Sequence, residues 1–196
     1  GEPLVRSELW NLVELLKSVR GIEEVALTTN GILLSDQAEK LKASGLDRIN
    51  VSLDSIDRDK FKEITRRDAL DKVLAGIDAA ISAGFENIRI NAVSVNGISE
   101  TEVVPLVTWA QQQGLHLRFI EFMPLDGDQA WQNQQVFTGV MLREIIEKKF
   151  GSLTPVYRER SSQPATDFQL SEVGPLIGFI DSVTEPFCQA CDRMRI

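Results

Sequence analysis

Arg48-Ile49-Asn50-Val51-Ser52-Leu53-Asp54 reads as a β-strand set between two helices, and the chain around it repeats that form. Upstream, Val25-Ala26-Leu27-Thr28-Thr29 is a strand and Asn30-Gly31 the turn after it. Ser35 or Asp36 can cap the following helix, which runs to about Ala43 and stops at Gly45. Downstream, Asp57 begins further helix, and a second piece over residues 70–83 ends at Gly84. Asn87-Ile88-Arg89-Ile90-Asn91-Ala92-Val93 is a third strand, residues 100–113 a helix halted by Gly114, and residues 115–122 a fourth strand. Ahead of all of these, residues 5–19 carry apolar side chains at helical spacing as far as Gly21. Strand–helix units in succession dictate a parallel α/β sheet, because parallel neighbours need crossover helices. An open sheet and a barrel both satisfy the pattern.

Polar residues gather near the C-terminal ends of these strands: Thr28, Thr29 and Asn30; Ser52 and Asp54; Arg89 and Asn91; Arg118 and Glu121. Ligands of α/β folds bind at that edge, so a lined site is expected there. Residues that merely begin loops are the plainer alternative. Beyond Met123 the pattern changes to a long polar loop, a helix from Thr138 to Phe150, and short strands broken by polar turns over residues 153–182. That part is expected to be a separate antiparallel extension.

The bulk properties narrow the function. The chain has 196 residues, 43% hydrophobic and 26% charged, as in ordinary soluble proteins. No apolar run approaches the roughly 20 residues of a membrane span, and no signal peptide is visible. A net charge of −8 leaves no broad basic field for nucleic acid. An anionic ligand would therefore need a local cationic pocket. Both cysteines stand near the end, in Cys188-Gln189-Ala190-Cys191-Asp192-Arg193-Met194-Arg195-Ile196, and reduced cytosolic thiols fit this usage better than a secreted scaffold. Two thiols three residues apart can grip one metal centre. Two arginines at alternate positions would point to one side of a strand. Zinc would need two further thiolates or imidazoles; a three-cysteine iron–sulfur cluster would need one more. The first residue is not Met and the metal site is short of ligands, so a piece of a longer protein is expected.

Other motifs have structural readings beside the functional ones. Gly1-Glu2-Pro3 permits close backbone approach and offers a carboxylate to an ammonium group. Thr28-Thr29-Asn30-Gly31 is also good turn chemistry. Arg89, between Ile88 and Ile90, must reach solvent, a carboxylate or a ligand. Met123 can simply pack.

In order along the chain, Gly-Glu-Pro, Leu-Thr-Thr-Asn-Gly, Ile-Asn-Val-Ser-Leu-Asp-Ser, Arg-Phe-Ile-Glu-Phe-Met-Pro and Phe-Cys-x-x-Cys-Asp-Arg-x-Arg resemble the GTP 3′,8-cyclases. These are radical S-adenosylmethionine (SAM) enzymes that begin molybdenum cofactor biosynthesis. The resemblance implies a partial (βα) TIM-like barrel of the radical SAM type over residues 1–123, then a C-terminal α+β extension over residues 124–196. It implies that Gly1, Glu2, Ser52 and Met123 bind SAM, and that Thr28, Arg89, Arg193, Met194 and Arg195 bind GTP. Cys188 and Cys191 would ligate the second of two [4Fe–4S] clusters. Radical abstraction of hydrogen from C3′ of GTP and closure onto C8 of guanine would follow, with no side chain as the main acid or base. The family often has lysine at Arg89 and usually asparagine at Asp192. Further expectations are a cytoplasmic homodimer that hands its product to the next molybdopterin-pathway enzyme, without nucleic acid or membrane partners. The chain alone, lacking the first cluster motif, is expected to be inactive. Another radical SAM enzyme with an auxiliary cluster, or a non-enzymatic zinc-binding module, stands as the alternative.

Overall fold

The structure is a computed structural model that describes residues 1–123, 136–157, 164–170 and 174–185. The chain divides into two compact units, residues 1–91 and 92–196.

In the first unit, strands β1 (Ala26–Thr29), β2 (Arg48–Ser52) and β3 (Ile88–Ser94, which runs on into the second unit) lie parallel in that order. Leu27, Ile49, Val51, Ile88 and Ile90 turn to one face and are buried there. Helices cover that face: α1 (Leu9–Ser18), α2 (Ala38–Ala43), α3 (Arg58–Thr65) and α4 (Leu70–Ser82). In α4 the buried residues Leu70, Val73, Gly76, Ile77 and Ala80 recur at three- and four-residue steps, the stripe a core-facing helix needs. Packing between α4 and the turn after β1 is tight. A Cβ on Gly76 would lie 2.5 Å from the Gly31 carbonyl oxygen.

The helix ends follow their expected chemistry in part. Asp57 caps α3, its Oδ1 accepting from the Lys60 amide at 3.0 Å. Gly45 and Gly84 follow α2 and α4 at φ +89° and +83°, left-handed angles that favour glycine. Two starts in this unit differ from expectation. The helix expected from residue 5 begins at Leu9, because Pro3–Val5 forms a separate 3-10 turn capped by Glu2 and the chain passes Glu8 at φ 53°. Helix α2 begins at Ala38, and neither Ser35 nor Asp36 caps it; Gln37 stands at the cap without a side-chain bond.

The second unit holds α5 (Val103–Gln113), β4 (His116–Glu121), α6 (Gly139–Phe150), β5 (Thr154–Pro155), β6 (Thr166–Gln169) and β7 (Leu176–Ile180). Helix α5 starts three residues later than the expected 100, after a turn over Ser99–Glu102. Thr138 caps α6 as expected, accepting from the Met141 amide at 3.3 Å. Strands β5, β6 and β7 are antiparallel, as the broken pattern predicts. The extension is not separate from the preceding strand, however. β7 lies parallel to β4, with Leu117 opposite Ile177 and Phe119 opposite Phe179. Phe179 joins Phe119 and Phe168 in one aromatic cluster, over which the Arg143 guanidinium lies 5.3–5.4 Å from two ring centroids. That burial outweighs the local tendency to a self-contained hairpin.

Candidate functional site

The face of the first sheet away from the helices is polar. Register places Thr28 beside Asn50, Asn50 beside Arg89, and Ser52 beside Asn91. Side chains at these alternate positions share one face by the pleat alone. A hydrogen-bonded chain crosses it. Arg48 Nε donates to Glu24 Oε1 at 2.5 Å, Arg48 Nη1 to Asn50 Oδ1 at 3.0 Å, and Asn50 Nδ2 to Thr28 Oγ1 at 3.1 Å. The hydrogen bond from Arg48, aided by the charges of Arg48 and Arg89, holds the Glu24 carboxyl below its ordinary pKa despite partial burial. Arg89 is half-buried and Ser52 and Thr28 are exposed. The Asn91 Oδ1 is buried and accepts no hydrogen bond among the described residues. A buried acceptor without a partner carries a desolvation cost that a donor could relieve.

At one end of this face stands Glu2. Its Oε1 accepts from Leu4 N at 3.1 Å and Thr29 Oγ1 at 2.6 Å, and its Oε2 from Asn30 N at 2.8 Å. A carboxylate has about four acceptor positions, so one remains for an incoming donor. Thr29 is 2% exposed, and its hydroxyl also accepts from the Gly31 amide at 3.0 Å. It is therefore a joint between the first turn and β1, not part of an open rim. A pocket of about 180 Å³ lies at the C-terminal ends of β1 and β2, lined by Asn30, Ile32, Ser52, Asp54, Phe61, Thr65 and Arg67.

In the second unit the polar strand residues turn inward. Arg118 passes over Gly178 of β7 toward Asp167 of β6, Nη2 to Oδ2 3.6 Å, and both charged residues are buried. The three are neighbours in register, and a Cβ on Gly178 would lie 2.6 Å from Asp167 Oδ1 and 3.0 Å from Arg118 Cγ. Glu121, 2% exposed, accepts from the amides of Val183 and Thr184 at 2.9 Å and from the Thr184 hydroxyl at 2.7 Å. It fixes the turn after β7. Met123 is 41% exposed.

Of the expected site residues, Gly1, Glu2, Thr28, Ser52 and Arg89 belong to the first unit and Met123 to the second. Cys188, Cys191, Arg193, Met194 and Arg195 lie outside the described residues. Among the described residues no three His, Cys, Asp or Glu side chains group to hold a metal ion, and no helix is long and apolar enough to cross a membrane. Asn50 escaped the sequence reading. Its signal was present, since it sits in phase with Arg48 and Ser52 along β2.

Comparison with known proteins fits this arrangement. The family model of the radical SAM superfamily matches residues 1–110, and that of Molybdenum Cofactor Synthesis C matches residues 115–196. A GTP 3′,8-cyclase of Rhodopirellula baltica is 47% identical over 198 aligned residues, covering 100% of this chain and 55% of its own length. A GTP 3′,8-cyclase of Paenarthrobacter nicotinovorans is 42% identical, covering 100% and 58%. The chain thus spans little more than half the length of these relatives. Among solved structures, TYW1 with a lysine-pyruvate adduct bound superposes with a TM-score of 0.60 at 17% identity, over 81% of this chain and 51% of that one. A radical SAM methyltransferase from Sphaerobacter thermophilus gives 0.58 at 16% identity, over 75% and 45%. These likenesses show the fold: α/β, a partial TIM-like (βα) barrel.

Proposed function

The chain belongs to the radical SAM superfamily, and on that premise we propose that it is part of a GTP 3′,8-cyclase, which converts GTP to (8S)-3′,8-cyclo-7,8-dihydroguanosine 5′-triphosphate in the first step of molybdenum cofactor biosynthesis. One observation carries the proposal: the two family models follow one another along the chain, and relatives described as this cyclase align over its whole length. The activity is that of the complete protein. Its functional division falls at residue 123, with the barrel before and the extension with its cysteines and arginines after.

The residues present fit SAM. Glu2 keeps one acceptor position for an ammonium group, Gly1 beside it carries no side chain, and the pocket at Ser52 offers space. Gly1, Glu2, Ser52 and Met123 would hold it. When bound, SAM and its reducing [4Fe–4S] cluster supply the one-electron chemistry. This chain's own residues bind, orient and shield. Thr28 and Arg89 on the polar sheet face bind GTP, together with Arg193, the Met194 backbone and Arg195. Cys188 and Cys191 contribute to a second [4Fe–4S] cluster. A cytoplasmic homodimer that passes its product to the next enzyme of the pathway completes the reading.

Arginine suits a polyphosphate because its planar fork donates two parallel hydrogen bonds. In the complete, anaerobically reconstituted protein, Arg193→Ala should weaken GTP binding roughly 10- to 100-fold, the range of a lost charge-assisted bond. SAM affinity should stay near normal. Unchanged GTP affinity in titration calorimetry would count against the proposal.

A further inference from the structure

We propose that Asn50 is a positioning residue that turns the Thr28 hydroxyl into a hydrogen-bond donor, so that Thr28 meets an acceptor atom of the bound nucleotide. This rests on the reading above that Thr28 faces GTP.

The argument begins at Arg48. A guanidinium has only donors, so the Asn50 atom 3.0 Å from Arg48 Nη1 must be the amide oxygen. The amide nitrogen then faces the other way, 3.1 Å from Thr28 Oγ1 and 3.4 Å from the Leu27 carbonyl oxygen. Arg48 is itself anchored by Glu24 and its side chain is 12% exposed, while Asn50 is 9% exposed. The amide therefore has one orientation, set by charge on one side and by burial around it. Its N–H occupies a lone pair of the Thr28 hydroxyl. The hydroxyl proton must swing away from Asn50, toward the exposed side of the sheet, where no acceptor among the described residues takes it.

A threonine held this way presents its proton to the ligand and keeps one lone pair besides. On a guanine nucleotide its partner is a phosphate or ribose oxygen, or O6 or N7 of the base. The N1–H and the 2-amino group, both donors, would leave that outward proton without an acceptor. The chain of polarity Glu24–Arg48–Asn50–Thr28 thus aims one hydroxyl proton out of the sheet face.

The test is a double-mutant cycle on GTP binding in the complete, cluster-reconstituted protein. Thr28→Val should raise the GTP dissociation constant about tenfold, and Asn50→Leu severalfold, with SAM affinity unchanged. In the Thr28→Val background Asn50→Leu should add less than about twofold, since there is no hydroxyl left to orient. Inosine triphosphate, which lacks the 2-amino group, should show the same Thr28→Val ratio as GTP. If Asn50→Leu does not fold, Asn50→Asp keeps the Arg48 bond and reverses the polarity toward Thr28. Its loss of GTP affinity should then shrink when combined with Thr28→Val. Equal losses in both backgrounds, or a Thr28→Val effect that vanishes with inosine triphosphate, would overturn the inference. Thr28→Val with unaltered GTP affinity would instead remove Thr28 from the nucleotide site, and with it the reading on which the inference rests.

Discussion

Arg66 closes helix α3 at φ 57°, ψ 27°, and it is exposed. Left-handed backbone costs a residue with a Cβ about 1–2 kcal/mol. Glycine avoids that cost but loses about 0.5–1 kcal/mol more unfolded-state entropy. The strain is the larger quantity, so Arg66→Gly should stabilise the protein by about 0.5–1 kcal/mol, read as a higher urea midpoint at unchanged slope. Asp47 makes a second prediction. Burial works to raise its carboxyl pKa, but the Val25 amide at 2.7 Å and the Lys17 ammonium at 2.9 Å together hold it below the ordinary value. The sign follows from linkage. A carboxyl depressed in the folded state adds stability that is complete above its unfolded value, about 3.9, and disappears as pH falls through the lower folded value. Denaturant titrations from pH 6 down to about 2.5 should show that loss in the parent and a shallower one in Asp47→Asn.

At the scale of elements, α4 meets the turn after β1 where glycine lets it. Alanine at Gly76 would gain about 1 kcal/mol of helix propensity. Its Cβ would also press to 2.5 Å on a backbone oxygen and 3.0 Å on Leu34 Cβ, neither of which is the free end of a flexible chain. Overpacking of that kind costs about 1–3 kcal/mol and wins. Gly76→Ala should therefore lower the melting temperature, whereas a propensity argument predicts a rise; calorimetry decides. The helices and the first four strands were readable because each obeys a local rule: a period, a cap, a glycine stop. The partnership of β7 with β4 was not readable, since it joins residues about sixty positions apart through aromatic packing that no short window contains. Cap choice failed at α2 for a similar reason. Leu34, wholly buried, sets where that turn sits, and the serine and aspartate beside it are left outside the helix.

For the whole molecule, the polar edge of the sheet was legible as a set, and the structure sorts that set into two kinds. Thr28, Ser52, Arg89 and Asn91 lie on the polar face, and Glu2 meets its edge; Thr29, Arg118 and Glu121 are consumed in holding segments together. Sequence alone cannot make that division, because it turns on which partner each polar atom reaches. Among the described residues β1 has one sheet neighbour, β2, and so presents an edge. The 196-residue chain on its own should associate at micromolar concentration, seen as a mass above 21.9 kDa in light scattering; a monomer with a sharp melt would contradict this.

Gly178 carries a consequence for how such a protein can change. The missing side chain is the gap through which a cation on one strand reaches an anion two strands away. Three positions distant in sequence are thereby locked to a common volume. Any lineage that enlarges the middle one must shrink or discharge its flankers in the same step, so drift at this spot should proceed in triplets or not at all.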